Sequence, residues 1–276
     1  MSKGRLAVLQ MTSGIDPTVN AEALVNAIGA AAMGDAAMLF TPEMSGLIDR
    51  DRARGAAHIV PEADSPVLAA VRAAAADAGI WVALGSLAVA REDGRWANRS
   101  FVIDSAGAVV ARYDKIHMFD VDLATGESWR ESAAYAPGEA VVTVETPLGR
   151  LGLAVCYDLR FPALFEVLGR ARCDLIAIPA AFTAPTGQAH WHIMQRARAI
   201  EASAYVVAAA QAGHHADGRD TYGHSLVVGP WGEVLLDMGG EGAGLAFAEI
   251  DPARLAEVRT QLPSLANKRP IAGVTA

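Results

Sequence analysis

Three residues in this sequence are of types that could share covalent chemistry. Cys156 closes the apolar run LGLAVC and stands immediately before the polar stretch YDLRFP. Glu43 follows an apolar run and a proline in AAMLFTPEM, and Lys115 follows another apolar arm in ARYDKIHM. They offer a thiol, a carboxyl group and an amine. A thiol is only a few per cent ionised at neutral pH, and it becomes a useful nucleophile beside a base or a cation. Taken singly, each residue also has an ordinary structural reading. A lone intracellular cysteine usually ends as a small buried core residue, and a strand-end Glu or Lys is usually a solvated surface charge.

The elements around them favour positioned groups. Arg5–Gln10, Ala36–Thr41 and Trp81–Ala88 read as strands, with helices beginning at Asp16-Pro17 and Ser65-Pro66, pairs that combine an N-cap with a first-turn proline. From Ser100 the pattern changes to hairpins, with turns at Ala106-Gly107, Pro147–Gly149 and Pro230–Gly232. Helices are expected at Phe161–Ala171 and Ala189–Ser203, followed by buried strands at Asp174–Pro179 and Tyr205–Ala210. Runs apolar on both faces need cover from both sides. The pattern predicts one α/β domain over residues 1–276, with two mixed sheets sandwiched between helices. Cys156 then sits at the C-terminal end of a buried strand, where open α/β sheets place their sites. The Tyr157 N–H and the start of the next helix would favour a thiolate and a developing oxyanion.

Composition removes several function classes. The chain has 276 residues, 52% of them hydrophobic, enough for a sizeable core. A net charge of −8 with scattered Lys and Arg offers no stripe for phosphates, so no nucleic-acid partner is expected. Apolar stretches fall short of the roughly 20 residues a spanning helix needs, so no membrane partner is expected, and a cytoplasmic location is. Two cysteines, Cys156 and Cys173, cannot build a disulfide framework.

Taken together, TPEM, YDKIH and GLAVCYDLRFP resemble the nitrilase superfamily of carbon–nitrogen hydrolases, whose triad is Glu, Lys and Cys in this chain order. The resemblance runs from RLAVLQ to the PWGEVL hairpin and the LPSLANKRP tail. Within the superfamily, KIHMFDVD, ESAAYAPG, AFTAPTGQAHWHIMQRARAIE and YGHSLVVGPWG are most similar to the deaminated glutathione amidase branch, neighbour to the ω-amidases. Relatives often carry Glu where this chain has His192. The resemblance implies a four-layer α-β-β-α sandwich and a catalytic set of Glu43, Lys115, Cys156 and Glu131. Glu43 would be the base, and Lys115 with the Tyr157 N–H would hold the oxyanion, each donor worth roughly 3 to 4 kcal/mol. Glu131 would position Lys115 or the substrate; without the resemblance, an exposed loop acid is nearly as good a reading of it. Arg160 would pair bidentately with a substrate carboxylate, with Tyr157, Phe182 and Thr186 completing the substrate site.

The implied substrate is a small amide with an α-keto-acid end. Deaminated glutathione, cleaved to 2-oxoglutarate and cysteinylglycine, is the first reading, and 2-oxoglutaramate or an N-carbamoyl amino acid the alternative. A homodimer or larger homo-oligomer is expected by the same resemblance. No cofactor and no metal are expected. His214, His215 and His224 lack regular ligand spacing and read as a polar loop between strands. Gly239–Gly244 follows a hairpin and opens no helix, so it reads as a turn rather than a phosphate loop. Cys173 reads as a packed core thiol, and no G-x-S-x-G elbow exists.

Overall fold

The computed structural model describes residues 4–122, 124, 126 and 128–270. Strands β1 (Gly4–Gln10), β2 (Met38–Phe40), β3 (Trp81–Ala90), β4 (Trp96–Ile103) and β5 (Val109–Asp114) make most of a first sheet. A ribbon of β6 (Asp120–Asp122) and β7 (Ser128–Arg130) follows. The second sheet contains β8 (Thr143–Thr146), β9 (Gly149–Leu153), β10 (Leu175–Ala177) and β11 (Tyr205–Ala208). Past a second ribbon, β12 (Ala212–His214) with β13 (Asp220–Tyr222), it is completed by β14 (Leu226–Val228) and β15 (Val234–Asp237). Finally β16 (Gly244–Ile250) returns to the first sheet, antiparallel to β1. The strand orders are β16-β1-β2-β3-β4-β5 and β15-β14-β11-β10-β9-β8.

Each sheet is parallel only in its middle, at β1-β2-β3 and at β9-β10-β11. Parallel neighbours need crossovers, and helices supply them. The helices are α1 (Pro17–Met33), α2 (Arg52–Ala56), α3 (Pro66–Ala78), α4 (Pro162–Arg170), α5 (Ala184–Ala202) and α6 (Pro252–Gln261). Asp16 accepts from Thr18 N and Ser65 from Leu68 N, so both anticipated N-caps are made, each worth about 1 kcal/mol.

Alternation along the strands explains the four layers. Ala7 and Leu9 of β1 pack with Leu24, Ile28, Leu68 and Val71 of α1 and α3. Leu6 and Val8, one residue out of phase, pack instead in the cluster that holds Leu151, Leu153, Ile176 and Val206 of the second sheet. That same cluster contains Phe165, Leu168, Trp191 and Ala199 of α4 and α5. The result is helices, sheet, sheet, helices, the expected α-β-β-α sandwich.

Two expectations need adjustment. The helix anticipated from Ala189 begins five residues earlier, at Ala184, because Pro185 and Gly187 fall in its first turns, where a missing N–H costs nothing. No element was anticipated for β16 or α6. β16 is half-buried along most of its length and short of a strong alternation, and it is held by its register against β1.

Candidate active site

The first sheet brings two charged groups inward. Glu43 lies just past β2, and Lys115 just past β5. Both are buried, 4% and 2% exposed, so each needs partners. Lys115 Nζ donates to Glu43 Oε1 at 3.0 Å and to Glu131 Oε2 at 2.8 Å. Asn98 on β4 donates through Nδ2 to Glu43 Oε1 at 2.9 Å and to Glu131 Oε1 at 3.1 Å. Backbone amides add to these: Ala181 N–H donates to the remaining Glu43 oxygen, Oε2, at 2.8 Å, and Phe119 N–H is a second donor to Glu131 Oε2, at 2.7 Å. Glu131 therefore contacts the lysine directly and also lines the cavity.

Backbone packing sets where Glu43 can be. A Cβ at Gly85 on β3 would lie 2.1 Å from Thr41 O and 2.3 Å from Pro42 O, so only glycine permits this approach. Gly85 N–H also donates to Thr41 Oγ1 at 3.0 Å. Met44, next in the chain, is left-handed at φ 55 and its N–H donates to Ser86 Oγ at 2.9 Å.

The second sheet supplies the sulfur. Cys156 starts a 3-10 segment, Cys156–Arg160, beyond β9, and its own φ is 47. A left-handed non-glycine residue costs of order 1–3 kcal/mol and persists only when its surroundings over-determine it. They do so here. Cys156 N–H donates to Pro179 O at 2.9 Å, and buried Asp158 ties the turn down. Asp158 accepts from Val155 N at 2.9 Å, Tyr113 Oη at 2.6 Å and His117 N at 3.0 Å. Tyr113 and His117 flank Lys115, so one carboxyl group holds the cysteine turn and the lysine segment together. Asp158 and Asn98 were not singled out from the sequence. Their one signal was burial in otherwise apolar surroundings, which shows only after folding.

The Cys156 thiol lies close enough to Glu43 for each to shift the other's titration. Burial pushes the Cys156 thiol well above the ordinary thiol range, and the Glu43 charge pushes it further, against the pull of Lys115. Burial also raises the Glu43 carboxyl, but the Lys115 charge and hydrogen bonds from Cys156, Lys115 and Asn98 outweigh it and hold the group low. Burial alone would lower the Lys115 ammonium, yet Glu131 and Glu43 hold it well above its usual value. Burial and the Glu43 charge thus favour the thiol form of Cys156, and Lys115 favours the carboxylate form of Glu43. Burial first, and the adjacent Glu43 carboxylate second, act on the sulfur against the pull that the sequence reading assigns to the helix start.

Cys156, Glu43, Lys115 and Glu131 open onto a cavity of about 790 Å³. Tyr157, Phe182 and Thr186 line it, together with Phe119, Trp129, Tyr135 and the cations Arg50, Arg52 and Arg219. Arg160 lies outside that lining, stacked over the rings of Tyr157 and Phe182 at 5.8 and 5.4 Å from their centres.

Comparison with known proteins decides the family. The model for carbon–nitrogen hydrolases matches residues 5–260. The chain belongs to the carbon–nitrogen hydrolase family. It is 38% identical over 272 residues to a deaminated glutathione amidase of Yersinia enterocolitica, covering 98% of this chain and 94% of that one. To the Homo sapiens protein of the same name it is 38% identical over 270 residues, covering 96% and 82%. Among solved structures, the C. elegans NitFhit protein superposes with a TM-score of 0.90 at 36% identity, covering 98% of this chain and 66% of that longer one. The four-layer sandwich and the nitrilase-superfamily resemblance both stand on these matches.

Other sequence features have settled into the fold. His215 is buried between Ser13 O and Thr221 Oγ1, each at 2.8 Å, and His214 pairs with Asp220 at 2.9 Å. Cys173 is fully buried, its thiol pushed up to about 11 by burial. His224 is drawn away from both histidines, to His192 and Asp237.

Proposed function

We propose that this carbon–nitrogen hydrolase is an amidase for small α-keto-acid amides, with deaminated glutathione as its substrate and 2-oxoglutarate and cysteinylglycine as products. The observation that carries this reading is the buried Glu43–Lys115–Glu131–Cys156 cluster on the floor of a cavity with cations on its wall. Cys156 attacks the amide carbonyl while its proton passes to Glu43. Lys115 and the Tyr157 N–H receive the oxyanion, the latter being an N-terminal amide of a helical segment that lacks an intrahelical acceptor. Glu43 then gives its proton to the departing amine, leaving a thioester. Water attacks the thioester as Glu43 takes its proton, the acid is released, and the proton returns to sulfur. Glu131 and Asn98 act by holding Lys115 and Glu43 in place. No step calls for a cofactor.

Two sets of groups suit the two ends of the substrate. Arg160 has no acidic partner among the described residues; its polar neighbours are His190 Nδ1 at 3.3 Å and Met194 Sδ at 3.9 Å. An unneutralised guanidinium against the cavity-lining rings of Tyr157 and Phe182 fits the keto-acid carboxylate. Farther along the wall, Trp129 has a buried Nε1–H without a partner among the described residues, and Arg219 lies over its ring at 4.9 Å. These groups fit the peptide carbonyl and glycine carboxylate of cysteinylglycine.

The test is kcat/KM on deaminated glutathione and on 2-oxoglutaramate, both read by 2-oxoglutarate release. A strong preference for the first is expected. Equal rates, or a preference for the second, would replace the reading with that of an ω-amidase, and release of ammonia with carbon dioxide from N-carbamoyl amino acids would end both. We also propose a single domain over residues 1–276, a cytoplasmic location suited to two free thiols, and a homodimer or larger assembly. Ile193, Ile200, Trp231 and Leu235, exposed on α5 and the β14–β15 hairpin, support self-association. A monomer by light scattering would remove that last part.

A further inference from the structure

Three side chains far apart in the sequence converge at the edge of the second sheet. His192 is on α5, His224 lies just before β14, and Asp237 ends β15. None of them lines the cavity. His192 Nε2 is 2.9 Å from Asp237 Oδ2, and His224 Nδ1 is 2.9 Å from Asp237 Oδ1. The three donor atoms all lie within 4.8 Å of one another. We propose that His192, His224 and Asp237 form a site for a borderline divalent cation, Zn²⁺ above all, which ties α5 to the β14–β15 hairpin.

The donor set is the first argument. Two imidazoles and one carboxylate suit Zn²⁺ and its neighbours better than Mg²⁺ or Ca²⁺, which prefer all-oxygen shells. Zn–N and Zn–O bonds of about 2.0–2.2 Å place tetrahedral donors roughly 3.3–3.5 Å apart, so small side-chain rotations from the observed spacing make the site.

Preorganisation is the second. His224 is held left-handed, at φ 52, with its N–H donating to Gly239 O at 2.7 Å and its carbonyl accepting from Trp191 Nε1 at 2.7 Å. Asp237 Oδ1 accepts from Gly239 N at 2.9 Å. Tyr222 stacks on the His224 ring, with centroids 4.5 Å apart. Two of the three ligands are thus oriented by bonds that do not involve the metal, as outer-shell groups do in metal sites. The side chains of all three are a quarter to a third exposed, so an ion can enter from solvent and keep water in its remaining position.

Simple hydrogen bonding, one imidazole N–H to each carboxyl oxygen, is the competing account, and metal titration separates the two. The buried Cys156 thiol is a second possible zinc ligand, so the full chain carrying Cys156→Ala is titrated with ZnCl₂ by calorimetry. One Zn²⁺ per chain is expected, with a rise in Tm that reverses with chelator. His192→Gln and Asp237→Asn should each weaken binding at least tenfold, whereas His214→Ala, at an exposed pair with only one imidazole, should leave it unchanged. On the wild-type chain, Zn²⁺ should also shift the ring ¹⁵N resonances of His192 and His224, which keeps the test independent of any variant's folding. Absence of binding, binding indifferent to the His192 and Asp237 variants, or unshifted His192 and His224 resonances would each overturn the site.

Discussion

The two six-stranded sheets repeat one pairing pattern and put different chemistry at its ends. Read from β16 and from β8, each sheet runs antiparallel, parallel, parallel, antiparallel, antiparallel. In the first sheet, the segments past β2 and β5 deliver Glu43 and Lys115, charges buried against each other. In the second, the segment past β9 delivers Cys156, and the strand matching β5 ends in half-exposed Asp237. The difference shows that a shared scaffold does not set the chemistry. Burial of the strand end does. Where the end is sealed, a charge must be paired and becomes part of a preorganised cluster; where it meets solvent, the same position is open to ions and water.

If this division is right, damage to the thiol side should cost activity alone, and damage to the charged side should cost activity and stability together. Cys156→Ser should lower kcat/KM by a factor on the order of 10⁴ while the denaturation midpoint stays put. Near-normal turnover would remove Cys156 as nucleophile. Lys115→Met should lower kcat by about 10² to 10³ through the lost oxyanion donor. It should also destabilise the chain by about 3–5 kcal/mol, since it leaves Glu43 and Glu131 buried without their cation. A urea titration unchanged from wild type would break the comparison on the charged side.

Gly85→Ala tests placement without touching a reacting group. Its methyl would collide with Thr41 O and Pro42 O, and a shift of Glu43 by about 1 Å should cost roughly 10² in kcat. Wild-type kcat would mean that the β3 approach does not position Glu43. Arg160→Lys should raise KM for keto-acid amides about tenfold with kcat nearly kept, because a single ammonium cannot reproduce the guanidinium fork. Equal KM values would take Arg160 out of recognition.

The smallest effect concerns proton position. A thiol whose pKa is raised is less ionised at neutral pH, so iodoacetamide labelling of Cys156 should be slow there and keep accelerating beyond the usual thiol midpoint of about 8.5. A rate that levels off below that midpoint would mean a resting thiolate.

Much of this was legible in the amino-acid sequence. Asp16-Pro17 and Ser65-Pro66 announce α1 and α3, and the Gly107, Gly149 and Gly232 turns announce three hairpins, because caps and turns depend on neighbours within a few residues. Cys156, Glu43 and Lys115 were marked by strand ends together with their motifs. Asn98, Asp158 and Gly85 were not, since nothing local distinguishes them from any strand or turn residue. Their importance comes from contacts over tens of positions, such as Asn98 to Glu43 and Asp158 to Tyr113.

The sequence by itself therefore determined the runs apolar on both faces that call for two sheets between helices, and the three groups able to do covalent chemistry. Only the tertiary structure decided that Glu131 grips Lys115, that the sulfur is buried beside the Glu43 carboxyl group, and that His192, His224 and Asp237 meet. The physical reason is the same in each case. Residue type and spacing set what a group can do within one element, whereas burial, charge pairing and convergence belong to elements brought together from distant parts of the chain.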